Sequence, residues 1–282
     1  MHAYCLFMEP TTYQSVSLTT DDGVLTLTLL GPGKGNAMGP EFWEELPKVM
    51  TAIDQMDDVR CIVIRGSGDH FSYGLDLPQM MPKLSSMTGA ERSEITAQIR
   101  QMQSGFQKIH ESPRPVVAAV HGWCIGGGIN MIAAADIRLC SRDARFSLRE
   151  AKLAMTADIG GLQFLPPIIG QGFTREMAFT GNDYDAAFAQ RIGLVNHVYD
   201  TPDALFDAAA TLARQIAENS SSAVTGVKQV LNHSLNKSVE DGLQYVAELN
   251  SGQLQSDDFS EAIKATQEKR QARFNKKISR GY

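Results

Sequence analysis

Two acidic residues that follow a glycine-rich turn in this sequence are suited to moving protons, and an amide lies near them. Glu150 and Asp158 stand eight residues apart, and both lie downstream of a run of three glycines at 126–128. A carboxylate can remove a proton and return it, whereas the amide of Asn130 can only form hydrogen bonds. These residue types point to acid–base chemistry at Glu150 and Asp158, beside an amide, Asn130, that can orient a neighbouring group by hydrogen bonding.

Two glycine-containing turns, 71–77 and 121–130, come directly after apolar stretches that resemble strands. Consecutive glycines that open a helix let the backbone approach a ligand closely, and they expose N–H groups at the positive end of the helix dipole. This arrangement favours an anionic oxygen. Taken alone, a triple glycine is also consistent with close packing between a helix and a sheet.

Composition and missing motifs exclude several classes of function. The formal net charge of -6 and the pI of about 5.5 argue against a broad nucleic-acid or anionic-membrane surface. The signatures of P-loop nucleotide binding, serine hydrolysis and zinc proteolysis are missing from the sequence. The four cysteines are widely spaced and predict neither a zinc site nor a disulfide framework. With no signal peptide or membrane span in the pattern, the expectation is a cytoplasmic protein.

Alternating strand and helix patterns predict an α/β protein with a parallel sheet. Apolar runs at 24–29, 61–65, 115–120 and 137–140 have the character of strands, and 40–56 and 129–135 have helical periodicity. Repeated βαβ units place parallel strands beneath helices. The run at 61–65 is continuously apolar up to Arg65, which indicates a strand covered on both faces.

The remaining segments are helical. A Met-rich stretch at 79–111 is compatible with helix and either covers a pocket or serves ordinary packing. Beyond residue 203 the strand patterns stop, and helices are predicted at 205–218, 223–235, 239–249 and 257–273. We divide the chain into a core at 1–200 and a C-terminal helical region at 201–282.

The pair of glycine turns resembles the crotonase, or enoyl-CoA hydratase/isomerase, superfamily, in which two backbone N–H groups form an oxyanion hole for the thioester carbonyl of an acyl-CoA. Leu75 and Gly127 stand at the two oxyanion positions. The resemblance covers nearly the whole chain and implies a crotonase-like spiral of repeated ββα units with a C-terminal helical trimerisation region. It also implies an acyl-CoA substrate, no metal or other cofactor, and a homo-oligomer that is a trimer or a dimer of trimers.

Two further segments carry this resemblance. The loop at 29–38 is similar to the family's early CoA-contacting loop, with Gly35 in place of the usual basic residue. The segment at 268–277 resembles the C-terminal signature that meets the CoA nucleotide, although a solvated basic helix end is the alternative. The residues that the resemblance assigns to substrate binding are Lys34, Asn36, Ala37, Ser72, Gly74, Asp76, Gly128, Phe274 and Lys277.

The carboxylates distinguish between activities of the family. Its hydratases carry a Glu where this chain has Asn130, together with a second Glu that matches Glu150. The spacing of Glu150 and Asp158 is similar to that of dienoyl-CoA isomerases, which usually have an Asp at the position of Asn130. The resemblance therefore implies conversion of a 3,5-dienoyl-CoA to a 2,4-dienoyl-CoA, with Glu150 removing the C2 proton and Asp158 protonating C6.

Three alternatives stay open on the sequence alone. The first is an enoyl-CoA hydratase, or a 3-enoyl to 2-enoyl-CoA isomerase, that uses Glu150 alone. The second is a non-catalytic superfamily member that binds acyl-CoA or RNA, since a fold does not determine a function. The third concerns Asp158, which would merely cap the helix that begins near residue 159.

Overall fold

The computed structural model describes residues 13–31 and 34–274, and the side chain of Lys34 lies outside that description. Within this part, two sheets alternate with helices along the chain. The strands are β1 (Val16–Asp21), β2 (Val24–Leu29), β3 (Cys61–Gly66), β4 (Val116–Val120), β5 (Trp123–Ile125), β6 (Ile137–Ser141), β7 (Arg145–Ser147), β8 (Tyr184–Asp185) and β9 (His197–Tyr199).

Helices alternate with the strands and cover the sheets, and the last part of the described chain is helical. They are α1 (Pro40–Ile53), α2 (Leu77–Met87), α3 (Arg92–Glu111), α4 (Gly127–Ala134), α5 (Gly161–Thr180), α6 (Ala186–Arg191), α7 (Pro202–Ala217), α8 (Ser221–Ser234), α9 (Val239–Gln253) and α10 (Asp257–Glu268). None of the helices within 13–31 and 34–274 is both long and apolar enough to cross a bilayer.

The larger sheet has the order β1-β2-β3-β4-β6-β9, and β5, β7 and β8 form a smaller sheet. From β2 onward the larger sheet is parallel, with Val24 opposite Cys61 and Leu29 opposite Gly66. The parallel strands and their crossovers confirm the α/β class. The strand predicted at 24–29 matches β2, and the one predicted at 61–65 matches β3 to within a residue.

Successive residues of the central strands point to two different apolar clusters. In β3, Ile62 and Ile64 belong to a large core that also contains residues of α1, α3 and α4, whereas Cys61 and Val63 face α7. Both faces are therefore covered, which confirms the expectation from the continuous apolar run. Since α7 packs directly on the sheet, a helix of the predicted C-terminal region completes the core.

The C-terminal helices α8, α9 and α10 correspond to three of the predicted helices, with one difference at the end. The pattern at 257–273 predicted a longer helix than α10, which stops at Glu268. Lys269 adopts a left-handed conformation with φ of 52°, and Arg270 turns back to form an ion pair with Glu261. The left-handed residue ends the helix, as is common at C-terminal caps.

Candidate active site

A cavity of about 530 Å³ opens beside the amino end of α4. Glu150 and Asp158 both line it, and so do Leu75 and Gly127. The remaining lining residues are mostly apolar: Tyr73, Leu77, Leu84, Met87, Ile99, Met102, Trp123, Ile125, Gly126, Arg149, Lys152, Leu153, Met155, Thr156 and Ile159. The structure thus brings the four residues predicted for proton transfer and oxyanion binding into one chamber that suits an apolar chain.

The Met-rich insert forms one side of this cavity. Leu84 and Met87 come from α2, and Ile99 and Met102 come from α3. Met80, Phe106 and Ile109 of the same two helices are buried in the core instead. Both interpretations of the insert are therefore correct, since one face packs on the core and another covers the pocket.

The Leu75 peptide is oriented by a short backbone ladder. Met38 pairs with Leu75 in an isolated parallel bridge, in which the Met38 N–H donates to Gly74 O (2.7 Å) and the Asp76 N–H donates to Met38 O (3.1 Å). In such a bridge the central residue directs its own N–H away from the partner chain. Gly74, the residue before Leu75, lies against Ile125 and Gly127, so the Leu75 peptide is next to the turn that contains Gly127.

The second oxyanion position opens a helix. Gly127 is the first residue of α4, so its N–H is one of the four at the amino end that have no partner within the helix. Gly74 (φ 75°) lies so close that a Cβ on it would be 2.5 Å from the Ile125 carbonyl oxygen and 2.8 Å from the Gly127 nitrogen. Only glycine allows this contact, and it brings the two turns together.

Asn36 and Ser72 hold this pair of turns from beneath. The Asn36 amide donates to the backbone oxygens of Ser67 and His70 at 2.9 and 2.8 Å, and its Oδ1 accepts from the Ser67 hydroxyl. The buried Ser72 hydroxyl donates to Asn36 O and accepts from the Gly74 N–H. Both side chains thus use their hydrogen bonds to fix the loop that carries Leu75.

Glu150 is held by Asn130 at the back of the cavity. Glu150 begins a one-turn helix (Glu150–Leu153) after β7, and its Oε1 accepts a 2.9 Å hydrogen bond from Asn130 Nδ2. The other oxygen, Oε2, is buried without a hydrogen-bond partner among the described residues. Asn130 is fully buried on α4, and its Nδ2 also donates to Gly126 O. One oxygen of Glu150 is therefore anchored while the other is left for a ligand.

Asp158 lies in the segment that leads into α5, and it does not cap that helix. The residue at the amino cap of α5 is Gly160, with no side-chain capping bond. The interpretation of Asp158 as a helix cap is therefore wrong. Its backbone oxygen accepts a 2.6 Å hydrogen bond from Nε2 of Gln103 on α3.

Both carboxyl groups have a raised affinity for protons. Burial raises the pKa of Glu150 above its ordinary value and the charge of Asp158 raises it further, while the hydrogen bond from Asn130 acts to lower it. Burial also raises the pKa of Asp158, although part of that residue is exposed. An apolar cavity disfavours charge, so each of the two carboxyl groups takes up a proton more readily here than it would in water.

None of the other described residues predicted to bind substrate is among those that line the cavity. Asp76 accepts a hydrogen bond from the Gln79 N–H and so caps α2. Ala37 is buried, and Gly128 lies against Ser72, where a Cβ would be 3.1 Å from the Ser72 oxygen. Phe274 is partly buried outside the helices, and Lys277 and the side chain of Lys34 lie outside the described residues. Direct CoA contacts for this group stay predictions.

Sequence reasoning missed several cavity residues, of which Tyr73 is the most informative. Gly35 has a φ of 65°, and a Cβ there would be 2.6 Å from the Tyr73 ring. Tyr73 therefore fills the space beside the unusual glycine in the early loop. Arg149 and Trp123 also line the cavity and stack on each other, with 5.3 Å from the guanidinium carbon to the ring centre. Tyr73, Trp123 and Arg149 each lie within or next to one of the motifs, and this position was the signal in the sequence that could have identified them.

Comparison with known proteins agrees with this geometry. A model of the enoyl-CoA hydratase/isomerase family matches residues 19–277. The chain is 40% identical to the mitochondrial Delta(3,5)-Delta(2,4)-dienoyl-CoA isomerase of Dictyostelium discoideum over 95% of this chain and 93% of that protein. It is also 40% identical to the peroxisomal protein of the same name from Arabidopsis thaliana, over 94% of this chain and 97% of that protein.

Solved structures support the same fold. An enoyl-CoA hydratase from Bacillus anthracis superposes with a TM-score of 0.85 at 27% identity, covering 94% of this chain and 100% of that one. A protein described as a putative enoyl-CoA hydratase from Streptomyces coelicolor has a TM-score of 0.88 at 25% identity, covering 98% and 100%. From the family match and the two glycine turns, we conclude that the chain belongs to the enoyl-CoA hydratase/isomerase family.

Proposed function

We propose that this protein is an isomerase that converts a 3,5-dienoyl-CoA to a 2,4-dienoyl-CoA. The observation that carries the proposal is that Glu150 and Asp158 line one cavity, which also contains Leu75 and Gly127. Moving two conjugated double bonds requires loss of a proton at C2 and gain of one at C6. Two separate carboxyl groups meet that requirement, and the names of the similar isomerases support the same reaction.

The reaction proceeds as two proton transfers through one enolate. Ionised Glu150 takes the proton from C2, and the electron pair of that C–H bond delocalises onto the thioester oxygen and, through the diene, onto C6. The N–H groups of Leu75 and Gly127 stabilise this oxygen. Neutral Asp158 then gives its proton to C6. After product release, Glu150 loses its proton to solvent and Asp158 regains one, which restores the starting state.

Asn130 determines which carboxyl group is the base. Its amide donates to Glu150 Oε1 and therefore favours the ionised form of Glu150. In the proposed mechanism, Glu150 is ionised and Asp158 carries a proton at the start of the cycle. Asn130 is thus a positioning residue that separates the roles of two otherwise similar acids.

Hydration is less well supported. A hydratase of this type holds water between two carboxylates, and one of those positions is Asn130, which cannot accept and return a proton. The Nδ2 group of this amide already donates to Glu150 Oε1 and to Gly126 O. An isomerase that uses Glu150 alone would leave Asp158 in the cavity without a role.

The proposal includes an oligomer and requires no cofactor. Exposed apolar side chains accumulate on the C-terminal helices: Val227, Leu231, Leu235, Val239, Leu243, Leu254, Phe259 and Ile263. Surfaces of this kind favour association, and a trimer or a dimer of trimers is our proposal. Light scattering after gel filtration would show a monomer if the proposal is incorrect.

A cytoplasmic location stays a prediction, since the similar isomerases are named as mitochondrial or peroxisomal proteins.

The direct test follows the ultraviolet absorbance of the conjugated 2,4-dienoyl thioester. Purified protein is mixed with a 3,5-dienoyl-CoA, and parallel reactions contain crotonyl-CoA or a 3-enoyl-CoA. Rapid formation of the 2,4-diene with little hydration supports the proposal. Efficient hydration of crotonyl-CoA without turnover of the diene would identify a hydratase, and binding without any turnover would identify a non-catalytic acyl-CoA-binding protein.

A further inference from the structure

One hydrogen bond links the wall of the acyl cavity to the backbone of Asp158. Gln103 on α3 donates from Nε2 to the Asp158 carbonyl oxygen at 2.6 Å, across 55 positions of sequence. Two residues of the same helix line the cavity: Ile99, which is four residues before Gln103, and Met102, which directly precedes Gln103. Residues four apart share a helix face, so Gln103 lies on the side of α3 that faces the pocket.

The segment with Asp158 needs such an anchor. It runs from the end of the one-turn helix Glu150–Leu153 to α5 and contains the irregular residue Gly160, with a φ of 115°. Ala157 and Ile159 on either side of Asp158 are buried, whereas Asp158 itself is exposed towards the cavity. The position of its carboxyl group therefore depends on how the peptide at Asp158 is held.

Glu150 does not share this dependence. Its side chain is held from the opposite side by Asn130, which belongs to α4. Loss of the Gln103 bond would displace the acid while leaving the base and the oxyanion turns in place. A displacement of about 1 Å can reduce a rate by about 10²-fold, because proton transfer depends steeply on geometry.

We propose that Gln103 is a positioning residue for the second proton transfer, which holds Asp158 over C6 of the substrate by donating to its backbone oxygen. The inference rests on the proposed isomerase function. It makes α3 a functional element as well as a cover, since the helix that touches the acyl chain also sets the position of the acid that protonates it.

The test separates the two proton transfers in deuterium oxide. Exchange at C2 of a 3,5-dienoyl-CoA reports the action of Glu150, and formation of the 2,4-diene labelled at C6 reports Asp158. Gln103→Met retains the length and helix propensity of the side chain but cannot donate. Gln103→Glu retains its shape, and as an ionised group it cannot donate either. The matched control is Gln107→Met, one turn further along α3, where the Gln107 side chain is exposed, does not line the cavity and donates to Glu111.

We expect both Gln103 variants to form product about 10-fold to 10²-fold more slowly, with C2 exchange and KM close to the parent values. The control should match the parent in both measurements. Unchanged product formation in the Gln103 variants would overturn the inference, and an equal loss of exchange and product formation would reduce Gln103 to a structural role. If the parent protein itself does not isomerise the diene, the proposed function fails instead.

Discussion

The floor and the roof of the cavity are built in different ways. We define the floor as residues 72–76, 126–130 and Glu150, and the roof as α2, α3 and the segment 155–160. The floor is fixed by backbone ladders and buried side chains such as Ser72 and Asn130. The roof is largely exposed, with Met80 as the buried residue of α2. In the proposed mechanism, enolate formation takes place at the floor, and the second proton transfer takes place at the roof.

This difference teaches how one scaffold supports several reactions. An oxyanion hole and one base suffice to form an enolate, and both are attached to the ends of strands and to the start of α4. In the proposed mechanism, the position of the second proton transfer depends on the roof. Substitutions at Glu150 and Asn130 test the floor, and Asp158→Asn tests how the floor and the roof share the two proton transfers.

The largest effect is expected at the floor. Glu150→Gln retains the shape of the side chain but removes the base, so kcat should fall by about 10²–10⁴-fold. Exchange of the C2 proton in deuterium oxide should be lost to the same extent, because no enolate forms. A variant that loses product formation but still exchanges C2 would show that another group is the base.

A smaller effect is expected from Asn130→Asp, which changes charge without changing shape. The new carboxylate cannot donate to Glu150 and would raise the pKa of Glu150 by repulsion. Activity requires ionised Glu150, so it rises with pH through that pKa and falls again as Asp158 ionises. The acidic limb of the kcat profile should move to higher pH, and activity at a fixed pH on that limb should fall about tenfold if the pKa of Glu150 rises by about 1. An unmoved limb would contradict the role of Asn130.

The smallest effect concerns stability. Burial raises the folded-state pKa of Glu150, so the folded protein holds a proton there more tightly than the unfolded chain does. That contribution to stability is present below the unfolded pKa and is lost as pH rises through the folded pKa. Glu150→Gln removes the buried charge, and we expect Tm at pH 8 to rise by about 2–4 °C for each kcal/mol gained. The gain should disappear at pH 4. If parent and variant have the same Tm at pH 8 as well as at pH 4, the prediction is contradicted.

Much of the fold was predictable because its signals are local. The apolar runs that became β2 and β3, and the glycines that open α4, specify strand ends and a turn through neighbouring residues. The end of α10 was not predictable from local signals, because it depends on the left-handed conformation of Lys269 and on the contact between Arg270 and Glu261. Helical periodicity carries no information about such a tertiary contact.

The site divides in the same way. Glu150, Asp158, Leu75 and Gly127 were found from motifs, and the structure places all four on one cavity. Tyr73 and Gln103 were not found, because their roles depend on contacts with Gly35 and Asp158 that only the folded chain creates. Asn36 and Ser72 were predicted as substrate contacts, and in the structure their side chains support the oxyanion loop.

The central claim is that the first proton transfer takes place at the floor and the second at the roof. It is tested most directly by Asp158→Asn with a 3,5-dienoyl-CoA in deuterium oxide. The account predicts that deuterium still enters C2, since Glu150 and the oxyanion turns are intact. It also predicts that the labelled 2,4-diene forms about 10²–10⁴-fold more slowly, since the acid at C6 is gone. Product formation at the parent rate would contradict the two-carboxyl mechanism, and simultaneous loss of C2 exchange would place Asp158 in the first proton transfer instead of the second.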